Sequence, residues 1–364
     1  MTKLVDSEYS ETIRSIRIPG SELSLGAVAQ VKLAPTAEGG TKVTIELGFP
    51  ANSIKSVLEV AIREAFSAKD PGADVSIEWQ LNIIPHSVQR NLKPLDGVRN
   101  VIAVASGKGG VGKSTTSANL ALALAAEGAR VGILDADIYG PSQPAMLGIA
   151  GERPVSKDGK SMEPLKAHGV QVMSIGFLVD VDQPMVWRGP MVTQALNQLL
   201  MQTNWDDLDY LIVDMPPGTG DIQLTLTQQV PVSGAVIVTT PQDIALLDAR
   251  KGLQMFRKVS VPVLGIIENM STHICSQCGH EESLFGAGGG EKLARDYEVD
   301  LLGQLPLDMS IREETDSGTP SVIASPNGPI AAAYRDIARA MTLALAGKTR
   351  DYSHRFPNIV VEGA

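Results

Sequence analysis

The sequence predicts an α/β protein with a mostly parallel central sheet, preceded by a small α/β unit. Three observations carry this. Short β-branched apolar runs recur at 101–105, 130–134, 170–175, 210–214, 234–239 and 262–267, with helical runs between most of them. That is the spacing of βαβ units, whose strands are covered on both faces. A glycine-rich stretch separates the first of these runs from an Ala/Leu-rich helical run within residues 102–120. Residues 1–82 carry a separate, shorter set of elements.

In chain order, Asp6 to Arg17 is a candidate helix. Val28 to Leu33 and Val43 to Phe49 read as strands across the turn-rich Thr36-Ala-Glu-Gly-Gly. Ser53 to Phe66 places Ile54, Val57, Leu58, Ala61 and Ile62 on one face, an amphipathic helix capped by Asn52 or Ser53. From Asp74 to Leu81, Val75, Ile77 and Trp79 alternate as in a strand. Residues 83–97 hold Pro85 and Pro94 and read as a linker, so the main unit spans 98–346 and a tail 347–364. Within it, Met185-Val-Trp187-Arg188-Gly-Pro190 is neither generic strand nor generic helix. Trp187 is a candidate interface cover and Arg188 a candidate contact to nucleotide or partner, against ordinary packing and a surface cation. Ser283 to Gly290 is glycine-rich and reads as a lid or hinge beside the cysteines or, equally, as a segment disordered when metal is absent. Ile330 to Leu345 reads as a final amphipathic helix.

The glycine-rich stretch is Gly107-Lys108-Gly109-Gly110-Val111-Gly112-Lys113-Ser114, followed by Thr115. Glycines let successive N–H groups turn inward on phosphate oxygens, and the following helix adds its positive end. Lys113 would reach the β- and γ-phosphates and Ser114 would ligate Mg²⁺. A dinucleotide loop is the competing reading, and the Lys-Ser pair decides against it. Two strand ends supply carboxylates: Asp135 and Asp137 after one run, Asp214 after another. In a parallel sheet such ends face the ligand crevice. Asp214 fits the Mg²⁺-side acid and Asp137 the acid that orients attacking water, while Asp135 has a competing reading as a solvated strand end. The second loop lysine, Lys108, suits neutralisation of transition-state charge, across a dimer interface or within one chain, against a plain surface lysine.

The only cysteines are Cys275 and Cys278, in His273-Ile-Cys-Ser-Gln-Cys-Gly-His280. Two thiolates at this spacing form a knuckle around a metal but do not complete a site, since zinc and [4Fe–4S] clusters both take four ligands. A symmetric dimer would bring two pairs together. Cys₂His₂ zinc with His273 and His280, and a redox dithiol, are the alternatives.

Through GKGGVGKST, DADIYGPS (135–142) and DMPPGTGD (214–221), the sequence resembles the Mrp/NBP35/ApbC family of deviant-Walker P-loop ATPases, kin of MinD, ParA and nitrogenase iron proteins. The likeness is close from 98 to about 345. It implies a P-loop NTPase fold, ATP and Mg²⁺, and a homodimer in which Lys108 reaches the nucleotide of the partner subunit. It implies Asp137 and Asp214 as switch I and Walker B acids, and Asn269 with Leu305-Pro306-Leu-Asp308 near the base. It also implies a [4Fe–4S] cluster shared between the Cys275/Cys278 pairs of two copies and passed to apo iron–sulphur client proteins. The first 82 residues resemble the MIP18-like domain often fused in front of such ATPases. No cysteine precedes Cys275, so this domain offers no thiol of its own.

Net charge is −10 with a pI near 5.1, which argues against a broad DNA-binding face. Two cysteines in 364 residues do not suggest a disulfide scaffold and fit a reducing cytoplasm. No signal core and no spanning apolar run is expected, so neither nucleic acid nor membrane is a predicted partner. No NKxD string occurs, which favours adenine over guanine. The leading expectation is an ATP-dependent iron–sulphur carrier. A ParA/MinD-like positioning or partitioning ATPase is the alternative, and a reductase like nitrogenase iron protein the third reading.

Overall fold

The computed structural model describes residues 2–37, 39–89, 92–178, 189–275 and 277–348. Trp187, Arg188 and the tail beyond Lys348 lie outside the described residues.

The small unit is a three-stranded sheet, β1 (Ala29–Pro35), β2 (Thr41–Leu47) and β3 (Val75–Leu81), in that spatial order. β1 and β2 are antiparallel, β2 and β3 parallel. Val43, Ile45 and Leu47 alternate onto its buried face. The helix Lys55–Ser67 covers that face with Leu58, Ile62 and Phe66. Val57 does not belong to this face: it is 55% exposed, because one residue is about 100° of helix away from Leu58. The predicted side-chain cap is also absent. Asn52–Ile54 forms a single 3-10 turn, and Asn52 Oδ1 accepts from Lys55 Nζ at 2.7 Å. The helix entry is satisfied from outside the unit, where Glu127 Oε2 accepts from Ser53 N at 2.9 Å. Its carboxylate suits the positive end of the helix.

The described residues of 83–97 are strapped to the main unit. Ile83 and Leu95 are buried in its core. Gln89 donates to Thr227 O and Val230 O and accepts from Val232 N.

The main unit is built on an eight-stranded sheet, with a two-strand ribbon as an outwork. The strands are β4 (Val98–Ala105), β5 (Val131–Asp135), β6 (Leu165–Ala167), β7 (Val170–Ser174), β8 (Leu208–Asp214), β9 (Gly234–Thr239), β10 (Val263–Glu268), the ribbon β11 (His273–Ile274) and β12 (Glu281–Glu282), and β13 (Leu301–Gln304). Sheet order is β13-β10-β9-β4-β8-β5-β7-β6, parallel throughout except at the β6 edge. The inner strands β5, β8 and β9 are buried along their whole length and mostly apolar, because helices cover both faces. The helix Lys113–Ala126 shows little amphipathy because it is buried nearly all round, against the sheet and the C-terminal helix Pro329–Ala346. That last helix also reaches the small unit: Leu343 belongs to the small unit's core, and Arg339 Nη1 bonds Ser53 Oγ at 3.3 Å.

Candidate nucleotide site and cysteine hairpin

β4 ends at Ala105 in the middle of the sheet, and the loop follows at once. Gly107 is forced: a Cβ there would sit 2.2 Å from the carbonyl carbon of Asp248. Gly112 has φ +80°, and a Cβ would meet Asn269 Nδ2 at 2.2 Å. Asn269 Nδ2 donates to Val111 O at 2.9 Å, so this side chain clamps the loop from β10. Among the described residues, no acceptor takes the N–H groups of Gly110, Val111, Gly112, Lys113 or Ser114. Five unclaimed donors at a helix start fit an anion such as a nucleotide phosphate. A cavity of about 180 Å³ takes in Lys108, Gly109, Lys113, Ser114, Thr115 and Asp137. Lys108 is half-exposed at its rim and makes no ion pair among the described residues.

Asp214 ends β8 and is fully buried. Its Oδ1 accepts from Lys113 Nζ at 2.6 Å and from Ser117 Oγ at 2.9 Å. Its Oδ2 accepts from Gln143 Nε2 at 3.0 Å. Lys113 Nζ also lies 3.1 Å from Ser114 Oγ. The hydroxyl of Ser114 and the carboxylate of Asp214 therefore lie together, an oxygen pair suited to Mg²⁺.

The solvated-strand-end reading of Asp135 is overturned. It is wholly buried, because the loop after β5 folds back over it: Ser142 N, Gln143 N and Ser174 Oγ all bond its Oδ2 at 2.9–3.1 Å. Burial, with the Asp214 charge beside it, pushes its carboxyl up to about 7. Asp137 is half-buried in the cavity wall. Desolvation raises its carboxyl above the ordinary range; Lys113 opposes this and Asp214 adds to it.

The cysteines lie in the turn of the β11–β12 ribbon, which begins four residues after Asn269, so that Cys275 is six residues beyond it. Cys275 N donates to His280 O at 2.9 Å and Gly279 N to Cys275 O at 2.8 Å, with Gly279 at φ +71° closing the turn. Backbone N–H groups of Gln277 and Cys278 point at the Cys275 thiol and hold it below the ordinary range. Cys275 is half-buried and Cys278 exposed. Among the described residues, no three His, Cys, Asp or Glu side chains gather as a metal site. His273 turns its Nδ1 to Leu307 O at 3.1 Å. Asp308 caps the helix Met309–Asp316, accepting from Ser310 N at 2.8 Å. The glycine-rich 283–290 segment ends in close packing, where Gly290 N bonds the buried Glu268 and a Cβ on Gly289 would meet Leu246 at 2.7 Å.

The structure thus brings Lys113, Ser114 and Asp137 to one cavity, with Lys108 on its rim and the buried Asp214 behind it, bonded to Lys113, and keeps Cys275 and Cys278 on a separate surface ribbon. Ser117 and Gln143 were not evident from sequence. Gln143 is a polar residue beside Pro144, immediately after the acidic DADIYGPS motif, and that position was its only signal.

A family model described as ParA, NUBPL iron-transfer P-loop NTPase, matches residues 97–342. An iron–sulfur cluster carrier protein of Pseudomonas fragi is 64% identical over 278 residues, 76% of this chain and 97% of that protein. One of Synechocystis is 44% identical over 344 residues, 92% of this chain and 95% of its own, and so takes in most of the small unit. Among solved structures, a nucleotide-binding protein of Archaeoglobus fulgidus in complex with ADP has a TM-score of 0.55 at 39% identity, covering 61% of this chain and 88% of that one. No described helix is long and apolar enough to cross a membrane.

Proposed function

The chain belongs to the iron-transfer P-loop NTPase family and is an ATP-hydrolysing member of it, and from that premise we propose that it carries a [4Fe–4S] cluster between two copies of itself and hands it to apo client proteins. The observation that carries this reading is the ribbon: two thiols at the surface, backed by N–H groups, with no third ligand from the described residues of the same chain. A twin supplies the other half by symmetry. The reading places work in the cytoplasm.

The residues of the nucleotide end have distinct tasks. Lys113 exchanges its Asp214 partner for the β- and γ-phosphates, which leaves Asp214 and Ser114 to face Mg²⁺. The ion supplies charge neutralisation on the phosphates. Asp137 orients the attacking water. Lys108, without an ion pair among the described residues, reaches across to the nucleotide of the partner subunit. Asn269 joins the two ends, because it holds Val111 and begins the segment that leads to Cys275. A ParA/MinD-like positioning role would leave the two backed thiols without a task.

Anaerobic reconstitution with iron and sulphide tests the proposal. The wild type should show cluster absorption and on the order of four iron atoms per pair of chains, lost in Cys275→Ser/Cys278→Ser. Less than one cluster per pair, zinc instead of iron, or a loaded species that is a single chain overturns it.

A further inference from the structure

Among the described residues, two buried polar atoms beside Ser114 and Asp214 have no partner. Gln143 is fully buried, yet its Oε1 accepts from none of them, and Ser142 Oγ is likewise orphaned. The Gln143 amide cannot be turned to cure this. Its Nε2 donates to two acceptors, Asp214 Oδ2 and Ser114 O, each at 3.0 Å, and a flipped amide would set oxygen against oxygen. Gln143 therefore bridges the two residues that face the ion, and it leaves one acceptor over. Ser142 lines the same cavity as Ser114, Lys113 and Asp137. The backbones of both residues are pinned to Asp135 Oδ2, at 2.9 Å for Ser142 N and 3.0 Å for Gln143 N, so neither orphan is a loose surface group.

Mg²⁺ sheds its water reluctantly and keeps several molecules in protein sites, each with two protons that need acceptors. Orphaned acceptors beside a metal's protein ligands match that need, and residues one layer out commonly set metal affinity. We propose that Gln143 and Ser142 form the outer shell of the Mg²⁺ site: Gln143 Nε2 fixes the Asp214 carboxylate, while Gln143 Oε1 and Ser142 Oγ accept from water held by the ion. They are positioning residues. Because Gln143 sits on the loop that carries Asp137, this shell also ties the water-orienting acid to the metal. The inference rests on Mg²⁺–ATP binding and not on the cysteine ribbon, so its failure would leave cluster carriage untouched.

The test compares the affinity of a fluorescent ATP analogue in EDTA and across a Mg²⁺ titration, for wild type, Gln143→Met and Ser142→Ala. The phosphate donors are unchanged, so affinity in EDTA should stay within about twofold, whereas the half-saturating Mg²⁺ concentration should rise about tenfold in Gln143→Met and severalfold in Ser142→Ala. Mn²⁺ binding followed by electron paramagnetic resonance should weaken in the same order. A Mg²⁺ titration like that of wild type in both variants overturns the proposal. So does an equal loss with and without the ion, which would mark Gln143 as a structural strut. Should Gln143→Met not fold, Ser142→Ala decides alone: a raised Mg²⁺ requirement supports the shell and an unchanged one refutes it.

Discussion

The two ends of the β10 segment are built on opposite terms. At the nucleotide end, charged groups are buried and shared: Asp214 takes three side-chain donors, Asp135 takes four donors, and Asn269 and Asp248 hem in the glycine loop. At the cysteine end, six residues beyond Asn269, a short ribbon carries one half-buried and one exposed thiol, and among the described residues no His, Cys, Asp or Glu side chains gather with them into a group of three. A site that must hold a reactant in fixed geometry is over-determined. If the proposed sharing of a cluster holds, the cysteine end is a site that another molecule completes, and it is accordingly left open. The contrast is a difference in coupling to the fold, and it makes quantitative demands.

The largest effect belongs to Lys113. Lys113→Met should cut ATP turnover by about 10²-fold or more. It should also destabilise the chain by about 3 kcal/mol, because Asp214 is left buried without its cation. Turnover assays beside urea unfolding check both, and an unchanged unfolding midpoint would break the contrast at its strong end. Next comes pH. Asp135 titrates higher in the folded chain, at about 7, than in the unfolded one, so the fold binds the extra proton between about pH 4 and 7. Its contribution is fully present below the unfolded value and is lost as pH rises through the folded one. The stability of wild type relative to Asp135→Asn should therefore fall with pH across that window, with a slope approaching about 1.4 kcal/mol per unit, and level off above it. A difference independent of pH would show that Asp135 does not titrate there.

Asn269→Ala tests the joint. Losing its bond to Val111 O should cost about 1 kcal/mol of stability. It should also weaken the effect of a bound ATP analogue on the rate at which a reconstituted cluster is lost. If that rate still responds to nucleotide as in wild type, the two ends communicate by another route. The smallest structural effect is expected at the open end. Cys275→Ser/Cys278→Ser should abolish bound iron while shifting stability by no more than about 0.5 kcal/mol, since neither thiol is in the core. A large loss of stability in the metal-free variant would make the ribbon part of the framework after all.

What the sequence revealed divides along physical lines. Six strands of the sheet were legible because continuous β-branched runs are what double-sided burial requires. The phosphate loop was legible because glycines at fixed spacing have few other uses. Features that depend on distant partners were not. Nothing local says that Glu127, 74 residues from Ser53, closes the entry of the helix that begins at Lys55. Val57 and Leu58 are equally apolar on paper, and only the neighbouring sheet chooses between them. Asp135 left a solvated strand end open as a competing reading because the loop that buries it folds back from residues 142 and 143. β6 and β13, of three and four residues, are too short to show a period.

The shared seam between the two units has a practical consequence. Leu343 is 5% exposed and packs into the small unit, and Arg339, 6% exposed, bonds Ser53. Trimming the first 82 residues would strip an oily patch and a guanidinium bare on the last helix, and would rob the Glu127 carboxylate of its Ser53 donor. Such a fragment would be stickier and more fragile than its intact sheet suggests, and its behaviour would be a poor guide to the whole.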